Sequence, residues 1–126
     1  MKMINKIKDN VYQFYFEEFS SCVYLIKLNN KNILIDTGSK DAREELINDF
    51  KEIKIKIEEI DYIIITHTHW DHIQNLELFK SSKKYSYENI SELINDFKEF
   101  EIIETPGHTK DSISILYKDI LFSGDC

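Results

Sequence analysis

The stretch that decides the fold is 62–72, Tyr-Ile-Ile-Ile-Thr-His-Thr-His-Trp-Asp-His. Its first four residues form a continuous apolar run, which is typical of a strand that is buried on both faces. The next seven residues place three imidazoles and one carboxylate within a short turn. Because Zn²⁺ takes imidazole nitrogens and carboxylate oxygens at about 2.0–2.2 Å, the stretch predicts a metal site carried at the end of a strand.

The remaining histidine and the glycines point to the same site. The chain has four His, and the fourth, His108, follows Pro106 and Gly107, which predict a tight turn. Glycine permits positive φ and close backbone approach, so it suits loops that bend sharply around a bound group. Each of the three glycines stands near a polar candidate: Gly38 after Asp36, Gly107 before His108 and Gly124 before Asp125.

Length and charge limit the classes of protein that fit. A chain of 126 residues fits one domain, here 1–126, and can bury roughly two-thirds of its unfolded surface. The net charge is −7 and the Lys residues are interleaved with Glu and Asp, so no basic stripe is offered to nucleic acid. No apolar run approaches the roughly 18 residues of a membrane span, and no apolar export segment follows the basic residues 1–8. We therefore expect a soluble, cytoplasmic protein that binds neither membranes nor nucleic acid.

The two cysteines, Cys22 and Cys126, form neither a C-x-x-C metal pair nor a disulfide framework. This usage is typical of a reducing compartment. Cys22 is predicted to be a small buried hydrophobic residue.

Hydrophobic patterns predict a meander followed by helices and further strands. Residues 11–16, 22–28 and 33–35 are rich in β-forming residues and lead to Asp36. Apolar residues at helical spacing predict a helix over about 40–52, in which Asp41 and Glu44 resemble a capping box.

Hydrophobic patterns also predict helices and strands in the second half of the chain. A strand over 60–66 and a short helix over 73–79 flank the histidine-rich turn. Within 83–98 the spacing of apolar residues favours a helix capped by Asn89, and an irregular hairpin is the alternative. Strands are predicted at 100–103, 112–115 and 120–122.

The polar residues suggest how metal would be bound. His67, His69 and His108 are a candidate trio for one Zn²⁺, because catalytic zinc takes three protein ligands and keeps a fourth position for water. Asp71 and His72 are expected to face a second ion, with Asp125 as a bridge. Asp36 is a candidate to accept a ring N–H and fix the tautomer of a ligand, and a plain turn aspartate is the alternative.

Metal ions of this kind indicate a reaction class. A bound metal lowers the pKa of its water toward about 7 and polarises the oxygen of the bond under attack. The sequence holds no G-x-S-x-G elbow, no P-loop and no G-x-G-x-x-G. We therefore predict a hydrolase without a side-chain nucleophile.

Four segments together resemble the metallo-β-lactamase superfamily, and most closely its glyoxalase II-type hydrolases: 35–38, 66–72, 105–109 and 123–125. The resemblance implies an α/β fold, a metallo-β-lactamase-like αββα sandwich that is partial here and consists mainly of the N-terminal sheet-and-helix half. It also implies the metal ligands: His67, His69, His108 and Asp125 for one ion, and Asp71, His72 and Asp125 for the other.

The resemblance also carries two expectations about what lies beyond this chain. Family members continue past the bridging aspartate and supply a further histidine, so we expect the second metal to be completed by water, Cys126 or another chain. Gln74 stands where the family usually has Gly. A partial fold should leave an apolar sheet face open, which a homodimer or a partner chain would cover.

The predicted function is that of a zinc-dependent hydrolase with one or two Zn²⁺ ions. Its metal-bound hydroxide would attack an ester, thioester or amide-type bond of a small-molecule substrate, with lactams and phosphodiesters as further classes, and Asp71 would orient the water as the catalytic residue. One alternative is a metal-binding half-module that is inactive without a partner chain. The other is a mononuclear iron enzyme like the persulfide dioxygenases; iron is the less favoured metal, and His69 argues against the di-iron flavoprotein branch, which carries an acidic residue there.

Overall fold

The computed structural model describes residues 3–16, 21–38, 42–66, 74–104 and 113–122. Two α-helices lie in these ranges, α1 (Arg43–Glu52) and α2 (Ile90–Asp96). Short 3₁₀ turns occur at Ile57–Glu59, Gln74–Leu78 and Tyr87–Asn89. The strands are β1 (Met3–Lys8), β2 (Val11–Phe16), β3 (Ser21–Leu28), β4 (Lys31–Ile35), β5 (Tyr62–Ile64), β6 (Lys83–Tyr85), β7 (Phe100–Glu104), β8 (Ile113–Tyr117) and β9 (Ile120–Phe122).

The larger sheet has six strands in the order β1-β2-β3-β4-β5-β6. The first four form an antiparallel meander, and β5 and β6 then join in parallel to β4 and to each other. Ile35 pairs with Ile64, and Ile64 with Tyr85. The parallel strands therefore end side by side at one edge of the sheet, which is where ligands bind in open α/β folds.

The central strands of the larger sheet are buried on both faces. Leu34 and Ile63 of one face pack with Leu46 and Phe50 of α1 in one core cluster. Residues of the other face pack against the smaller, three-stranded sheet β7-β8-β9 in a second cluster: Val11, Ile26, Ile33, Ile35, Ile64 and Tyr85 meet Phe100, Ile115, Tyr117 and Phe122. Burial on both faces explains the continuous apolar runs of β4 and β5.

The outer face of the smaller sheet carries exposed apolar side chains. Leu121 is 55% exposed and Ile103 is 42% exposed, and Leu116 lies beside Leu121 in the register. Among the described residues, Ile7 of β1 and Ile94 of α2 are the other large apolar side chains that are similarly exposed. No described helix is long and apolar enough to cross a membrane.

Most predicted elements are confirmed, with boundaries that are longer for some strands and shorter for the helices and β5. Helix α1 begins at Arg43 with Ala42 as its N-cap, and no side-chain hydrogen bond caps it; Asp41 lies outside the described residues. The strand predicted over 60–66 keeps strand pairing only at Tyr62–Ile64. The short helix after the histidine-rich turn is a 3₁₀ turn in its described part, Gln74–Leu78.

Two strands were not predicted from the sequence. Residues 83–85 form strand β6 because they pair with β5 at the sheet edge. The helix predicted within 83–98 is confirmed as α2, which begins at Ile90 with Asn89 as its N-cap. Strand β1 was not predicted, since its basic and polar residues suit an exposed edge strand without a clear apolar pattern.

Cys22 is buried, as predicted, but the expectation of no disulfide is wrong because the structure has Cys22 disulfide-bonded. The only other cysteine of the sequence, Cys126, lies outside the described residues.

Candidate metal centre

The candidate centre lies at the edge where β4 and β5 end. The Asp36 backbone N–H donates to the Ile64 carbonyl at 2.8 Å, and the Ile65 N–H donates to the Tyr85 carbonyl at 2.8 Å. These bonds continue the parallel pairing one residue beyond the strands. As a result, Asp36 and Thr66 are held next to each other, directly before the histidine-rich turn.

Asp36 has an unusual backbone conformation, and both oxygens of its carboxylate accept hydrogen bonds from Thr66. Its φ is 63°, in the left-handed region that costs a non-glycine residue about 1–3 kcal/mol. The side chain is buried, and its Oδ1 accepts from the Thr66 N–H at 2.9 Å while its Oδ2 accepts from the Thr66 Oγ1–H at 2.7 Å. The left-handed turn thus points the carboxylate back at the end of β5.

A second hydrogen bond joins Thr37, the residue after Asp36, to Asn75, which follows the histidine-rich stretch. Asn75, in the 3₁₀ turn after the histidine-rich stretch, is fully buried and donates from Nδ2 to the Thr37 carbonyl at 2.9 Å. Its Oδ1 accepts from Nε of Arg43 at 2.8 Å, and the same guanidinium pairs with Glu77 at 2.6 Å. Thr37 and Asn75 are therefore joined across 38 positions of sequence.

The structure describes one of the predicted site residues, Asp36. The other predicted residues, His67, His69, Asp71, His72, His108 and Asp125, lie outside the described ranges. Their roles as ligands stay predictions. No group of three His, Cys, Asp or Glu that could hold a metal occurs among the residues that are described.

For Asp36 the structure supplies a contact that the sequence did not predict. Among the described residues, the carboxylate accepts from Thr66, the residue before His67. The predicted ring N–H donor would belong to a histidine outside the described ranges, so that role stays a prediction. Each carboxylate oxygen has two acceptor sites, so these bonds leave room for a further donor. Arg43 and Asn75 were missed, because no sequence spacing signals a contact between a helix start and a distant 3₁₀ turn.

The fold and this edge define a class: a two-sheet α/β sandwich with a histidine- and aspartate-rich segment that follows the end of a parallel strand. Residues 17–98 match the sequence profile of the metallo-beta-lactamase superfamily. The chain belongs to that superfamily, as the sequence motifs indicated.

Named relatives agree with this assignment. A probable metallo-hydrolase from Methanocaldococcus jannaschii is 41% identical over 101 residues, which cover 74% of this chain and 50% of that protein. Hydroxyacylglutathione hydrolase 1 from Vibrio vulnificus is 28% identical over 82% of this chain and 46% of its own length. The chain thus spans about half the length of these relatives.

A solved structure supports the same fold. A mutant of the flavo di-iron protein from Thermotoga maritima superposes with a TM-score of 0.76 at 22% identity, over 98% of this chain and 41% of that one. At this identity the likeness establishes the fold alone.

The Asp36–Thr66 contact can be tested by removing one hydroxyl. Thr66→Val keeps the shape of the side chain but leaves the buried Asp36 Oδ2 without this donor, so the free energy of unfolding should fall by about 1–3 kcal/mol. Thr66→Ser keeps the hydroxyl and loses one methyl, which should cost about 0.8 kcal/mol. Urea unfolding with a chelator present measures both variants. A valine variant as stable as the serine variant would show that the hydroxyl bond does not hold this edge.

Proposed function

We propose that this chain is the metal-binding part of a zinc-dependent hydrolase that acts on carbonyl compounds, with thioesters as the first class to test and esters and amides as related ones. The observation that carries the proposal is the Asp36–Thr66 junction, which fixes the residue before His67 at the carboxyl edge of parallel strands. The relatives with metallo-hydrolase and hydroxyacylglutathione hydrolase activity in their names support the reaction class.

The donor set fits zinc. His67, His69 and His108 would supply nitrogen ligands to one ion, and Asp71 with His72 would serve a second, with Asp125 shared between them. Imidazole with few carboxylates is the ligand combination that zinc prefers, whereas magnesium and calcium prefer oxygen. The buried Asp36 carboxylate adds negative charge beside the segment, which favours a bound cation. Zinc, when bound, supplies water activation near neutral pH and polarisation of the substrate carbonyl.

The chain's own residues would take separate tasks in this reaction. Asp71 would accept a hydrogen bond from the attacking water and orient it toward the substrate carbon. Asp36 would act indirectly. Its carboxylate binds Thr66 and so fixes the point at which the proposed ligand segment leaves β5. No side-chain nucleophile is needed.

The test is hydrolysis of an acylglutathione thioester by the purified chain supplied with zinc. His67→Ala should reduce zinc-dependent turnover by at least about 100-fold, since it removes a direct ligand of the ion. Lys98→Ala, a change at an exposed position on the loop before β7, should leave turnover unchanged. Equal zinc-dependent rates in the wild type and His67→Ala would rule out this assignment of the ligand.

A second candidate follows from the open face of the smaller sheet. The exposed Leu121 and Ile103 favour a half-module that pairs with a second copy of itself and gains activity only as a dimer. Exposed apolar side chains of this kind gain free energy when another surface covers them, at about 25 cal/mol per Å² of buried apolar area.

Sedimentation of the wild type and of Leu121→Lys tests this pairing. The wild type should sediment as a dimer and Leu121→Lys as a monomer, because a lysine on the covered face would bury a charge. Lys118→Glu, a charge change at an exposed residue of the turn between β8 and β9, should stay dimeric. A monomeric wild type would refute dimerisation, and hydrolysis by that monomer would refute the half-module.

A further inference from the structure

The buried amide of Asn75 joins three parts of the chain. Its Nδ2 donates to the Thr37 carbonyl at 2.9 Å, and its Oδ1 accepts from Arg43 Nε at 2.8 Å. Arg43 is the first residue of α1, and Thr37 follows the left-handed turn at Asp36. The exposed fraction of Asn75 is 0%, so these contacts are made away from water.

The two ends of the histidine-rich segment are fixed to neighbouring residues. Thr66 is held by the Asp36 carboxylate, and Asn75 is held by the carbonyl of Thr37. Eight residues, 67–74, lie between the two anchors. Because Asp36 and Thr37 are consecutive, the separation of the two anchors is set by one short piece of backbone.

We propose that Arg43 and Asn75 are positioning residues for the proposed metal site: their contacts fix the backbone at Thr37 and at Asn75, and so raise the affinity with which the chain binds metal. The inference rests on the proposed function, in which His67, His69, Asp71 and His72 bind metal. Ligands preorganised in this way lose less conformational freedom on binding an ion.

The chemistry of the amide explains why this position carries Asn. An amide presents an acceptor and donors on one planar group, so it can serve a guanidinium and a carbonyl at once. A carboxylate of the same shape would still accept from Arg43. It would, however, turn an oxygen toward the Thr37 carbonyl oxygen, and the second anchor would be lost.

Arg43 orients the amide by a directional contact. Its Nε donates to Asn75, while its terminal nitrogen reaches Glu77 two residues further on. A guanidinium can bind both acceptors because its donors lie in a rigid fork, whereas a lysine ammonium is a single point charge. The pair with Glu77 is exposed on the glutamate side, so we assign the positioning effect to the bond with Asn75.

The experiment compares Asn75→Asp and Arg43→Lys with two controls in the full chain. Ser82→Ala removes another buried bond between a side chain and a backbone carbonyl, that of Ser82 Oγ to Ile60, at the opposite end of β5. Glu77→Gln weakens the exposed ion pair with Arg43. Zinc affinity is measured by competition with a chromogenic chelator, the absorption bands of bound Co²⁺ report ligand geometry, and urea unfolding without metal reports stability.

We expect Asn75→Asp to weaken zinc binding by roughly 10- to 100-fold and to shift the Co²⁺ bands, with a smaller loss in Arg43→Lys. Ser82→Ala should lose stability in the absence of metal but bind zinc within about twofold of the wild type, as should Glu77→Gln. If Asn75→Asp does not fold, Arg43→Lys decides by the same two readouts.

Unchanged zinc affinity and unchanged Co²⁺ bands in Asn75→Asp would overturn the positioning role while leaving the proposed function intact. Equal loss of affinity in Ser82→Ala would also overturn it, since general destabilisation would then explain the effect. A wild-type chain that binds neither ion would overturn the positioning role and the proposed function together.

Discussion

The rest of the structure depends on the two hydrogen bonds that Thr66 donates to the Asp36 carboxylate. Parallel pairing brings the ends of β4 and β5 together, but the chain must then leave both strands without unravelling the edge. A left-handed residue at Asp36 achieves this at a cost of about 1–3 kcal/mol, which two hydrogen bonds to a charged acceptor, each about 1.5–3 kcal/mol, can offset. The strain is thus retained at the residues that directly precede the histidine-rich segment.

Two cores hold this edge from opposite sides. Leu34 and Ile63 point into the core shared with α1, while Ile35 and Ile64 point into the core shared with the smaller sheet. Alternate side chains along β4 and β5 therefore enter different cores. A one-residue slip in the register of either strand would move each of its side chains to the wrong core. The backbone that leads into the histidine-rich segment is fixed by packing as well as by hydrogen bonds.

The sequence predicted those features that short patterns encode. The buried strands follow from unbroken β-branched runs, α1 from helical spacing, and the family from motifs around its histidines and glycines. Strand β6 was missed because three residues, two of them lysines, acquire strand structure from pairing with β5 and not from their own propensity. Likewise, the bond between Thr37 and Asn75 arises from tertiary structure alone. Local patterns cannot specify a contact that depends on how separate elements pack.

The most direct test of the central claim, that the segment after β5 forms a metal site, is a native mass spectrum of the chain purified with zinc, compared with that of a His67→Ala/His69→Ala variant. We expect one or two zinc ions on each wild-type chain and fewer on the variant, because two of the proposed nitrogen ligands are removed. The same zinc content in both proteins, or none in the wild type, would contradict it.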